Sequence, residues 1–213
     1  MQLLVEKYRP LLIKDFIGFK SVMDIASELV DDPYESAWLF VGGPGMGKTS
    51  LAQAIANELD AETIHIPSQS CTVETVKNLR HKLAFTPMFG ARWYVVIVDE
   101  ADEMSAAAEN AWLSLTDSTN RPKNTIIIFT CNATEKLKER FTSRCEVLKF
   151  YSKDGAGVNK PATELLARVW QEETNNAQPA PNFSTIVKEA NSNIRESLQV
   201  LQRHVRRANR LTS

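Results

Sequence analysis

Eight consecutive residues, Gly42-Gly-Pro-Gly-Met-Gly47-Lys48-Thr49, satisfy the pattern G-x-x-x-x-G-K-[ST]. Their chemistry is that of a phosphate cradle. Glycines let the backbone curl so that successive N–H groups face the phosphates, and the start of a following helix adds a favourable dipole. The candidate nucleotide-binding residues are therefore Gly42, Gly43, Pro44, Gly45, Met46, Gly47, Lys48, Thr49 and Ser50. Lys48 would reach the β- and γ-phosphates, and the Thr49 hydroxyl would hold Mg²⁺. Roughly fifty residues downstream, Tyr94-Val-Val-Ile-Val-Asp99-Glu100 is an apolar run that ends in two carboxylates. A buried strand would deliver Asp99 to the carboxyl edge of a sheet, where ligands of open α/β sheets sit. There Asp99 would bind Mg²⁺, directly or through water, and Glu100 would orient and deprotonate an attacking water.

The elements that must position these residues are legible in the pattern of apolar residues. Five short β-rich runs stand out: Trp38–Val41, Thr63–Ile66, Tyr94–Val98, Thr125–Thr130 and Glu146–Phe150. Between them lie helical stripes, Leu51, Ile55 and Leu59 with Ala52 and Ala56, then Val73, Val76, Leu79 and Leu83. Near-continuous apolar strands alternating with helices predict a parallel sheet covered on both faces, an α/β unit over residues 1–150. After Phe150 the composition changes. Residues 151–161 read as a loop, ended by Pro161. Helical patterns follow at about residues 162–173, 184–190 and 193–209, the last with Ile194, Leu198, Leu201 and Val205 in register. They predict a small three-helix unit over residues 151–213.

Composition narrows the function classes. Apolar residues make up 43% of the 213 residues and charged residues 24%, a folded and not a disordered balance. With a formal net charge of -1, binding to nucleic acid would need a local patch. Two clusters qualify, Lys77, Arg80, His81 and Lys82 on one predicted helix, and Arg203, Arg206, Arg207 and Arg210 on another. Either could equally be a solvated helix face. Cys71, Cys131 and Cys145 form no C-x-x-C pair, and no histidine stands near them at ligand spacing, which argues against zinc and for a reducing compartment. No basic leader and no apolar stretch of about 20 residues is present, so the expectation is a soluble intracellular protein with no membrane partner.

Further motifs, in order along the chain, resemble those of clamp-loader small subunits of the replication factor C kind, within the AAA+ ATPases. Val5-Glu6-Lys7-Tyr8-Arg9-Pro10 resembles the family's E-K-Y-R-P opening, and Asp99-Glu-Ala-Asp102 its acidic box. Phe129-Thr-Cys131-Asn132 resembles the sensor 1 strand, Ser143-Arg144-Cys145 the S-R-C motif, and Asn193-Ile-Arg195 the start of the sensor 2 helix. The resemblance implies a P-loop AAA+ domain with a five-stranded parallel sheet flanked by helices, followed by a small three-helix lid. It also implies residue roles. Asn132 would contact the γ-phosphate or the attacking water. Arg144 would act as an arginine finger on ATP held by a neighbouring subunit, where its rigid donor fork meets developing charge. Arg195 would reach the nucleotide from the lid, and Tyr8, Arg9 and Pro10 would line the adenine pocket. The implied cofactors are ATP and Mg²⁺, and the implied partners are other loader subunits in a ring or spiral, a sliding clamp and primer-template DNA.

The chain also departs from that pattern. Leu113-Ser114 stand where the family has paired arginines, Gly43 and Met46 replace commoner loop residues, and Asn191-Ser-Asn193 lacks the glycine expected before the sensor 2 helix. The sequence stops at Ser213, where clamp-loader small subunits usually continue into a helical collar, as expected of either a fragment or a natural minimal form. Two other readings share the core motifs: a different AAA+ DNA-associated ATPase, such as a branch-migration motor or helicase loader, and a non-hydrolysing subunit that only donates Arg144.

Overall fold

The structure is a computed structural model, and it describes residues 2–88, 90–151, 156–175 and 179–211. From the N-terminus the chain runs through helices α1 (Leu4–Lys7) and α2 (Lys20–Asp31), strand β1 (Ser36–Val41) and helix α3 (Lys48–Glu58). Strand β2 (Glu62–Pro67), helix α4 (Val73–Lys82), strand β3 (Tyr94–Asp99), helix α5 (Ala106–Thr116) and strand β4 (Thr125–Cys131) follow. The short helix α6 (Glu139–Thr142) leads into β5 (Glu146–Lys149), and then come helices α7 (Ala156–Thr174), α8 (Phe183–Glu189) and α9 (Ile194–Leu211).

All five expected strands form, and they pair in parallel in the order β2-β3-β4-β1-β5. β-branched and aromatic residues fill them, as in the Thr-Ile-Ile-Ile-Phe-Thr-Cys of β4. Successive side chains point to opposite faces of the sheet, and the core divides accordingly. Leu39, Val96, Val98, Ile127 and Phe129 pack on one face with Val76, Leu79 and Trp112 from α4 and α5. Phe40, Val95, Ile97, Ile126 and Ile128 pack on the other with Val22, Leu51 and Ile55 from α2 and α3.

The strand order does the positioning. β4 lies between β1 and β3, with Val41 opposite Cys131 and Val98 opposite Phe129. The loop after β1, the acidic end of β3 and the residue after β4 therefore emerge side by side at one edge, as the rule for open α/β sheets requires.

One helix lies outside the sequence expectations, and one expected loop needs correction. α2 carries no sequence start signal. Its N-cap, Phe19, is left-handed and offers no capping side chain, and only the spacing of Val22, Ala26 and Leu29 shows the buried face. The loop expected over residues 151–161 is shorter, because α7 begins at Ala156 and passes through Pro161. A proline there cannot donate the helical bond to residue 157 and normally disfavours the helix. The opposing force is burial, since Val158 and Ala162 on either side of it enter the apolar cluster shared with α8 and α9. Residues 152–155 of that expected loop lie outside the described residues.

The three carboxy-terminal helices enclose their own apolar cluster, and α1 packs with them: Leu4 belongs to it, and its N–H donates to Gln202 Oε1 at 2.7 Å. Leu201 at the centre of this cluster is 0% exposed. Leu201→Ala is expected to cost about 2–5 kcal/mol, the range for truncating a buried leucine, read as a lower denaturant midpoint in a chemical unfolding curve.

Candidate nucleotide site

The glycine-rich loop joins β1 to α3, with Gly45 and Gly47 both at positive φ. Gly42 is pressed against Phe150, whose Cβ would lie 2.7 Å from a Cβ on that glycine. Gly45 (φ +74°) sits in the left-handed region that glycine adopts freely, and its Cα faces Asn193 so closely that any side chain would collide with it. Lys48 opens α3 and turns inward. Lys48 is 8% exposed, and its ammonium donates to Gly42 O at 2.6 Å, Gly43 O at 2.9 Å and Asn132 Oδ1 at 3.1 Å. Burial pulls the Lys48 ammonium below its ordinary pKa; Cys131, Asp102 and Asp99 oppose that shift and Arg195 reinforces it.

Asp99 is the hub of the acidic side. Its Oδ1 accepts from Thr49 Oγ1 at 2.7 Å and from Thr130 Oγ1 at 3.0 Å, and its Oδ2 meets His65 Nε2 at 2.5 Å. Thr130 Oγ1 in turn accepts from the Glu100 N–H at 3.2 Å. Glu100 holds a left-handed backbone (φ +52°), which costs a non-glycine residue about 1–2 kcal/mol. Such conformations cluster where a side chain must be aimed, and this one leaves the Glu100 carboxylate exposed beside Asp99. The Thr49 hydroxyl and the Asp99 carboxylate are both hard oxygen donors, already within hydrogen-bond distance of each other, and this donor set fits Mg²⁺. Asn132 is fixed from behind, its N–H donating to Asp102 Oδ2 at 3.3 Å.

The start of α9 lies against the loop. α8 ends in a Schellman turn, with the Ser192 N–H on Val187 O at 3.0 Å and the Asn191 N–H on Lys188 O at 3.0 Å. Asn191 and Ser192 carry it at φ +48° and +62°, a region that glycine usually fills at such helix ends. Asn193 then caps α9, its Oδ1 accepting from the Glu196 N–H at 3.1 Å. This geometry places Arg195 on the wall of a cavity of about 840 Å³, together with Tyr8, Arg9, Pro10, Gly45, Met46, Gly47 and Ser50. Arg9 Nε donates to Ser50 Oγ at 3.2 Å, and the Tyr8 hydroxyl lies 2.8 Å from Glu173 Oε1 and 2.9 Å from Glu172 Oε2.

Arg144 stands apart from this group. It follows α6, which is pinned by Phe141, fully buried edge-on to Phe129 at 4.9 Å. Its side chain is 35% exposed, 3.6 Å from Asp117 and bonded to Arg140 O, and it does not reach its own phosphate loop. Of the basic clusters, Lys82 is committed to Glu62 at 2.8 Å, whereas Lys77, Arg80 and His81 are exposed without an ion pair among the described residues. Arg203 and Arg206 line the outer part of the cavity.

The ATPase family associated with various cellular activities (AAA) matches residues 38–152, more than half of the chain. The chain belongs to the AAA family. Among curated proteins, this AAA chain is 27% identical to replication factor C subunit 4 of Encephalitozoon cuniculi over 95% of its own length and 64% of that protein's. It is 31% identical to the replication factor C small subunit of Methanocella arvoryzae over 75% of its length and 51% of that protein's. The chain thus spans about half to two thirds of the length of these relatives. Among solved structures, the Holliday junction branch migration motor RuvB of Thermotoga maritima superposes with a TM-score of 0.72 at 19% identity, over 92% of this chain and 64% of that one. A mutant of the same protein reaches a TM-score of 0.77 at 18% identity, over 97% and 68%. At such identity the likeness shows the fold. No helix among the described residues is long and apolar enough to cross a membrane.

The structure brings Lys48, Thr49, Asp99, Glu100 and Asn132 of the AAA motifs to one edge, with Arg195 on the adjoining wall. Sequence reasoning assigned no role to Thr130, His65, Asp102 or Asn193. Thr130 and His65 become neighbours of Asp99 only through the pairing of β3 with β4 and β2, which no local motif encodes. Buried Cys131, directly before Asn132, has its thiol pushed up to about 12 by burial, then by the Asp102 carboxylate; burial likewise pushes Cys145 up to about 12. A raised thiol pKa withholds the reactive thiolate until the pH approaches it. Native protein at pH 8 is therefore expected to react with a chromogenic disulfide far more slowly at Cys131 and Cys145 than protein in denaturant, where both titrate near the ordinary thiol value; equal rates would contradict the burial.

Proposed function

We propose that this chain is the ATP-binding and ATP-hydrolysing subunit of a DNA sliding-clamp loader, using ATP and Mg²⁺ to assemble with like subunits and place a ring-shaped clamp on primer-template DNA. The observation that carries the reading is the meeting of Lys48, Thr49, Asp99, Glu100 and Asn132 at one sheet edge, with Arg144 elsewhere on the surface beside Asp117. A site lacking its own arginine finger suits hydrolysis shared between subunits. The similarity to replication factor C subunits over most of the chain supports the clamp-loading context.

In this reading residues 1–150 are the ATPase domain and residues 151–213 its lid. Lys48 exchanges the carbonyls of Gly42 and Gly43 for phosphate oxygens, while Asn132 and Glu100 hold the attacking water and take its proton. Magnesium, when bound, neutralises charge on the phosphate oxygens, and Thr49 and Asp99 are the residues that hold it. Arg195 reads the nucleotide from the lid, and Tyr8, Arg9 and Pro10 enclose the adenine. Arg144 stabilises charge developing in the neighbour's site. ATP thereby cements the contact between subunits, and hydrolysis releases the clamp.

Steady-state ATP turnover per chain is expected to rise with protein concentration and with primer-template DNA. Arg144→Ala should lower it by about 10³-fold, the scale of a lost arginine finger, while leaving ATP binding intact. Turnover that is independent of concentration and indifferent to Arg144 would mean that each chain works alone, as a different kind of ATPase.

A further inference from the structure

His65 lies on β2, an edge strand of the sheet, and its side chain is 51% exposed. Its strand partner is Ile97, two residues before Asp99, so His65 and Asp99 share one face of adjoining strands. An imidazole with that much solvent access is free to hydrate. Instead Nε2 rests 2.5 Å from Asp99 Oδ2, the carboxylate oxygen that neither Thr49 nor Thr130 uses. The carboxylate torsion of an aspartate is broad, so its oxygens turn unless both are held. Thr49 and Thr130 grip Oδ1 from the loop helix and from β4, and His65 grips Oδ2 from the other side.

We infer that His65 is a positioning residue: its Nε2 hydrogen bond locks the Asp99 carboxylate so that Oδ1 faces Thr49, and it thereby sets the affinity of the site for Mg²⁺ presented with a nucleotide. The inference rests on the reading of Thr49 and Asp99 as the metal-holding pair. His65 acts through Asp99 and touches neither phosphate nor metal. Groups that orient a metal-binding carboxylate are typically worth 10–100-fold in metal affinity. Because His65 is on an exposed edge, it can be replaced without opening a cavity.

The test compares His65→Phe, which keeps a ring but loses the donor, with His65→Gln, whose amide places an N–H near the Nε2 position. Binding of a fluorescent ATP analogue is titrated with Mg²⁺ and repeated in chelator, with Asp99→Asn as a reference. The Phe variant is expected to need about 10-fold more Mg²⁺ for half-maximal effect, with chelator binding unchanged, and the Gln variant to stay close to wild type. Wild-type Mg²⁺ demand in the Phe variant, alongside raised demand in Asp99→Asn, would overturn the role of His65 alone. Equal rises in the Phe and Gln variants, or a parallel loss of binding in chelator, would overturn it as a general disturbance of the edge strand. An Asp99→Asn variant with unaltered Mg²⁺ demand would overturn the metal reading of the site, and this inference with it.

Discussion

The hydrogen bond from the Thr49 hydroxyl to Asp99 Oδ1 spans a gap that no single element closes. Thr49 belongs to the first turn of α3, after β1, and Asp99 ends β3, two strands away. The two can meet only because β4 lies between those strands and leaves the chain ends level. Lys48 and Asn132 repeat the constraint from the other side, joining the same helix to the end of β4. A slip of one residue in any of these pairings would turn the polar ends to the opposite face and bury charge in an apolar layer. The closely packed layers on both faces, with Trp112, Phe129 and Phe141 on one side and Leu51 and Ile55 on the other, therefore hold the register on which the chemistry depends.

Beside this edge the carboxy-terminal helices enclose an apolar cluster of their own, against which Ile17 and Phe19 also pack. Asn193 against Gly45, Arg195 on the cavity wall and the segment from Leu4 to Arg9 bridge the two. The N-terminal segment is anchored in the helical cluster by Leu4 and at the phosphate loop by Arg9 on Ser50. Arg144 is mounted differently, on a short helix nailed to the sheet core by Phe141. Such mounting suits the proposed role of Arg144 in a neighbouring subunit's site, because little entropy would be lost on engagement.

Much of this is legible in the sequence. The G-x-x-x-x-G-K-[ST] loop, the apolar strand ending in Asp99-Glu100 and the alternation of strands with helices each reflect local physics: backbone freedom, burial and periodicity. The five strands accordingly fell within two residues of expectation. What escaped were features settled by tertiary contacts. α2 has no capping side chain, and its helix is stabilised by packing Val22, Ala26 and Leu29. Pro161 argued for a loop where burial of Val158 and Ala162 imposes a helix. His65 and Thr130 became site residues through strand neighbours distant in sequence, and Asn193 through a helix docking on Gly45.

The most direct test is a double-mutant cycle on the junction itself, measuring ATP affinity by calorimetry with excess Mg²⁺ for wild type, Thr49→Ala, Asp99→Asn and the double variant. If both side chains serve one metal-nucleotide site, either single change removes most of what the other contributes. The double variant should then bind about as weakly as the weaker single one, with a coupling of roughly 1–3 kcal/mol. Additive losses would mean that Thr49 and Asp99 act independently, and the account of a shared metal-nucleotide site would fail.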